Sequence, residues 1–177
     1  MARRRLWELP QLNYEEEQGE HRKVTWLDLF FDLFFVVSIA QLAHELSAHP
    51  SWRGTAEFAL LFIPIWWIWI GYTYYNERFE SNGLESRLFT YLLMLPVIGF
   101  AFFGHHGIEK GFSGFVVSYA AARILLTILW LRAALHVPAF RPTGTVFVIG
   151  FTLSAVIASA AAYISIPVGY WLLAFAL

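Results

Sequence analysis

Apolar residues run along this chain in five long blocks, at 24–47, 55–76, 87–106, 113–133 and 144–163, and a sixth opens at Pro167. The first block sets the scale. Its segment 24–46, VTWLDLFFDLFFVVSIAQLAHEL, has 23 residues, which at ~1.5 Å each make about 34 Å against a bilayer hydrocarbon core of about 30 Å. The pattern predicts an all-α, polytopic transmembrane helix bundle: five full spans, a truncated sixth, and a polar tail over 1–23 ahead of a helical domain over 24–177. The sixth block, PVGYWLLAFAL, has eleven residues, about half a crossing. The expectation is therefore the N-terminal half of a longer protein, with a helix leaning on a partner or half-sized subunits as the other options.

Composition agrees with that pattern. Hydrophobic residues make up 58% and charged residues 14% of the 177, more apolar surface than a soluble domain of this size hides. A net charge of −1 leaves no electrostatic footprint for nucleic acid. The chain has no cysteine, so disulfides and thiolate metal sites are excluded, and no cofactor is inferred. The tail mixes Arg3, Arg4 and Arg5 with Glu15, Glu16, Glu17 and Glu20. It reads as a solvated segment with a short amphipathic patch over 6–9, ended by Pro10. The apolar run after it is too long and too acidic for a signal-peptide core.

Basic residues set the expected orientation. Arg3, Arg4, Arg5, Arg22, Lys23, Arg78, Arg87, Arg132 and Arg141 fall on one side, and Arg53 and Lys110 on the other. That bias places the N-terminus in the cytoplasm.

The polar residues inside the apolar blocks carry the candidate chemistry. Asp28 and Asp32 are four apart and share one helix face, and a carboxylate at membrane depth costs roughly 2.5 kcal/mol or more. Counted from its own inner end, Arg123 in the fourth span falls at similar depth, so the expectation is an Asp32–Arg123 ion pair, with Arg78 or Arg87 nearer Asp28. Two readings stand side by side: charges that pair helices, and an Asp32 that titrates or binds a cation during transport. Gln41, His44 and Glu45 lie toward the outer end, turned away from the two aspartates. The segment HELSAH is one residue too long for the zinc-binding HExxH, which leaves His44 and His49 about 140° apart around a helix. His105, His106 and Glu109, with His44 and Glu57, are read as a solvated outer loop rather than a metal or proton site. In the second span Trp66, Trp67 and Trp69 are candidate lining residues, and the tyrosines after them suit the headgroup level. Pro96 should kink the third span near Leu92. Ser154, Ala158 and Ala162 form a stripe of small residues that permits close helix contact.

Segment 24–46, the Trp-rich WWIWIGYTYYNERFE over 66–80, and Arg87-Leu88 opening the next span together resemble the bacterial low temperature requirement A proteins. That family combines an acidic residue, Leu-Phe-Phe-Asp-Leu, a valine-rich run and Gln-Leu-Ala with a Trp-rich helix ending in an Arg-Phe-acidic turn. Asp28 stands where the family more often has Glu. The resemblance implies a bacterial integral membrane protein of about twice this length, linked to growth at low temperature. Its expected place is the plasma membrane, crossed several times.

The functional expectation is a transporter or channel for a small ion or solute, with Asp28, Asp32 and Arg123 as its polar centre. The alternative is a non-transporting membrane protein that supports cold or envelope physiology through lipid or protein contacts. No complete catalytic set is present, so no enzymatic activity is assigned. The expected partners are membrane lipid, the ion or solute, and a second copy or a missing C-terminal half.

Overall fold

The first long helix starts at a capping box. Thr25 Oγ1 accepts from the Asp28 backbone N–H at 3.3 Å, and Asp28 Oδ2 accepts from the Thr25 N–H at 3.1 Å and its hydroxyl at 2.9 Å. Donors that a helix start leaves without intrahelical partners are satisfied reciprocally. A computed structural model of the chain describes residues 10–12, 25–48, 50–80, 83–105, 107–164 and 166–176. Its helices are α1 (Trp26–Ala48), α2 (Trp52–Arg78), α3 (Leu84–Gly104), α4 (Gly107–His136), α5 (Arg141–Ala161) and α6 (Ile166–Ala176), with a 3-10 turn at Pro138–Phe140. Five of them are long and apolar enough to cross a membrane. The fold is all-α, as the hydrophobic pattern predicts.

The helices outrun the apolar blocks. α4 covers 30 residues where the block at 113–133 suggested 21, because 107–112 and 134–136, with Lys110 and His136 among them, stay helical on either side of the apolar stretch. The expected small sixth element is present as the 11-residue α6. One feature of the tail has no counterpart in the hydropathy: β1 (Gln11–Leu12) pairs antiparallel with β2 (Phe79–Glu80), Leu12 opposite Phe79. Pro10 beside it is buried. The amphipathic patch over 6–9 lies outside the described residues.

α4 is the central post. α3 and α5 flank it, α2 also rests on it, α1 packs on α3 and α2, and α6 packs mainly on α5. Phe31, Phe35, Ser38 and Leu42 form the buried stripe of α1, at the spacing that puts side chains on one helix face. The opposite side carries Leu29, Leu33 and Val36, each more than half exposed. Apolar residues turned outward on a long helix are what a lipid-facing surface requires, since lipid tails are as apolar as they are. Small residues bring the helices together. A Cβ on Gly99 of α3 would overlap the Ser118 hydroxyl of α4 and lie 3.0 Å from its Cβ, and one on Gly144 of α5 would lie 2.8 Å from the Ala134 Cβ. On α5, Ser154 and Ala158 of the small-residue stripe are buried, as is Ala155 beside them, while Ala162 falls just past the helix end, half-buried.

An aromatic knot closes the end where α2 and α4 finish and α5 begins. Trp130 stacks on Phe147 at 4.2 Å and meets Tyr75, Phe79, Phe140 and Phe151. Beside it Glu85 of α3 accepts from Arg132 of α4 at 2.8 Å, with side chains 1% and 15% exposed. This ion pair ties the α3 start to α4.

Candidate functional site at the α1–α2 seam

The two aspartates of α1 face α2, and their partners run in the reverse order along it. Asp28 Oδ1 accepts from Asn76 Nδ2 at 3.5 Å, and Asp32 Oδ1 accepts from the Trp69 indole N–H at 2.8 Å. Between them Phe31 and Tyr72 pack with ring centroids 4.2 Å apart. Positions 69, 72, 73 and 76 lie on one face of α2 by helical spacing, so the two helices form an antiparallel seam. Tyr72 anchors its floor by a hydrogen bond of 2.6 Å to Thr90 of α3, and Ser38 of α1 donates to the Val97 carbonyl of α3 at 3.0 Å.

The aspartates differ in what they meet. Asp28 belongs to the capping box at the helix start. Asp32, one turn further in, is exposed along the seam and lies six residues, about 9 Å, from Trp26. Its carboxylate forms no ion pair among the described residues. The expected Asp32–Arg123 pair is not made. α1 contacts α2 and α3, and α4 stands behind them, while Arg123 turns the other way, toward Tyr119 and Phe151. Depth along two helices was legible in the sequence; which faces meet was not. Arg78 donates to Tyr74 Oη at 3.1 Å and covers the Tyr74 ring, and Arg87 is exposed, so neither reaches Asp28.

The other candidates fall elsewhere. Trp66 and Trp67 are 40% and 38% exposed and touch each other; Trp69 is the tryptophan that meets α1. Gln41 lies nine residues beyond Asp32, about 180° around the helix, on the other flank of the buried stripe. His44 sits at the far end, its ring 6.4 Å from that of His105, whose Nδ1 is 3.6 Å from Glu45 Oε1. Among the described residues no three His, Asp or Glu side chains come together to hold a metal ion. His49, His106 and the Glu109 side chain lie outside the described residues. Residue-level reading missed Glu85 and Arg132 as a buried pair, though the Thr25-x-x-Asp28 capping signal was present in the sequence.

The seam lies within the stretch that matches a protein family. Residues 23–177 match the family described as bacterial low temperature requirement A protein (LtrA). The chain belongs to the LtrA family. Within curated proteins it is similar to the uncharacterized protein RA0937 of Rhizobium meliloti (strain 1021), at 30% identity over 122 residues. That stretch is 67% of this chain and 29% of the relative, so the match spans well under half of that protein's length. No solved structure matches it.

Proposed function

We propose that this LtrA-family chain forms part of a plasma-membrane transporter or channel in which Asp32 receives a small cation along the α1–α2 seam. The observation that carries the reading is the Asp32 carboxylate: about 9 Å into a membrane-length helix, exposed, and held by one neutral indole donor. An ionisable side chain inside a spanning segment faces a cavity, a path or a charged partner, because hydrocarbon does not solvate it. Trp69 leaves the second carboxylate oxygen open to a cation, and Asn76 and Thr73 continue a polar line toward the mouth of the seam. On the expected orientation, that mouth is cytoplasmic. Asp28 has a structural role at the cap and serves this path only as a nearby negative charge.

A second reading draws on that cap and on the Glu85–Arg132 pair, both of which use charge to hold helices. In it the protein is non-transporting and supports cold or envelope physiology through lipid and protein contacts.

Flux separates the two. The full-length protein is reconstituted in liposomes holding a pH-sensitive dye, and a potential and a panel of monovalent cations are imposed. Asp32→Asn should cut the flux about tenfold or more, since ~1.4 kcal/mol of lost site affinity is already a factor of ten, while Asp28→Asn, which keeps a cap acceptor, should cost much less. Folded wild-type protein that moves no ion in the panel, or an Asp32→Asn variant with full flux, contradicts the transport reading.

A further inference from the structure

Arg123 is 1% exposed. It lies 16 residues after Gly107 and 13 before His136, roughly 24 Å and 20 Å from the two ends of α4, near the middle of the bundle. Its Nε donates to Tyr119 Oη at 2.7 Å. The guanidinium carbon sits 5.0 Å from the Tyr119 ring centre and 4.9 Å from that of Phe151, which offers a cation two π faces. Nη1 is fully buried and has no acceptor.

The surrounding polar groups do not supply one. Tyr119 Oη and Ser154 Oγ are 3.1 Å apart, and Ser154 donates to the Ala176 carbonyl of α6. With Nε–H entering at one end and a carbonyl closing the other, the hydrogens run Arg123 to Tyr119 to Ser154 to Ala176. Every donor in that relay is used, and the acceptor at its end belongs to Ser154. Among the described residues no carboxylate of the flanking helices pairs with it either: α5 has Arg141 as its charged residue and α6 has none, and Glu85 of α3 pairs with Arg132. A buried guanidinium with no counter-charge is costly, and neutral rings offset part of that cost.

We propose that Arg123 anchors an anion site between α4, α5 and α6, taking a small monovalent anion, either a halide or a short carboxylate, with Nη1 as the donor that faces it. α6 is the roof. It rests mainly on α5, and the Ser154–Ala176 bond is its polar tie to the site. The site is independent of the Asp32 reading, because its ligand has the opposite charge and its test requires no transport.

The test is thermal unfolding of the full-length protein, purified with gluconate as its anion, on addition of bromide or of formate at constant ionic strength. A saturable rise in melting temperature is expected with one or both salts. Bromide alone points to a halide ligand, and a larger effect of formate points to a carboxylate. Arg123→Met should lose the rise and melt no lower than the anion-free wild type, and Arg123→Lys should keep a weaker one. Absence of any rise in the wild type, or an equal rise in Arg123→Met, overturns the proposal. Should Arg123→Met not fold, anomalous diffraction from bromide-soaked wild-type crystals decides: a bromide peak beside Nη1 supports the site. An empty position, or a protein carboxylate there, overturns it.

Discussion

Asp28 and Asp32 sit one turn apart on α1, yet their oxygens meet different partners. The first closes a capping box with Thr25, and the second accepts from an indole N–H across the seam. Their place in an apolar run was readable in the sequence, because carboxylates interrupting such a run stand out. Their partners were not, because a hydrogen bond between helices depends on the rotation of both. The same limit hid Glu85 and Arg132, which lie near helix ends where charged residues are ordinarily solvated. That pair gives a clear expectation. Arg132→Leu alone should lower stability by about 3–5 kcal/mol by leaving a buried carboxylate uncompensated, and adding Glu85→Leu should recover most of the loss. Equilibrium unfolding in detergent measures both. If the two substitutions simply add, the pair is not the unit that ties α3 to α4.

Among elements, number and order were legible and their ends were not. Twenty-residue apolar runs leave little choice but spanning helices, yet α4 starts six residues before its run and continues three past it to His136, because no proline interrupts those stretches. Close approach was half-legible. The small residues of α5 were visible as a stripe, whereas Gly99 gave no sign that it faces Ser118. At that crossing a side chain has no room. Gly99→Val should force α3 from α4 and destabilise the protein by about 1–3 kcal/mol, as overpacking in a tight interior does. Gly150, with nothing within 4 Å of a Cβ, is the control: Gly150→Val should cost little. Equal effects in thermal unfolding would mean that the α3–α4 contact is loose.

At the scale of the molecule, the bundle separates its charges. Asp32 lies on the open α1–α2 seam, Arg123 is enclosed behind Tyr119 and Phe151, and Glu85–Arg132 closes one end. The sequence suggested one polar centre because Asp28, Asp32 and Arg123 all fall within apolar blocks, and only the lateral order of the helices, with α4 behind α1, divides Asp32 from Arg123. The proposed function puts water and a cation on the seam, while the outward face of α1, with Leu29, Leu33 and Val36, meets lipid. Because the chain has no native cysteine, a single thiol reports on this directly. Thr73→Cys places one on the seam face of α2 without touching either aspartate, and Leu33→Cys places one on the outward face of α1. In the full-length protein in membranes, a charged, water-soluble thiol reagent should modify position 73 and spare position 33, and a transported cation should slow the reaction at 73. Equal reaction at both positions, or none at 73, would contradict the account.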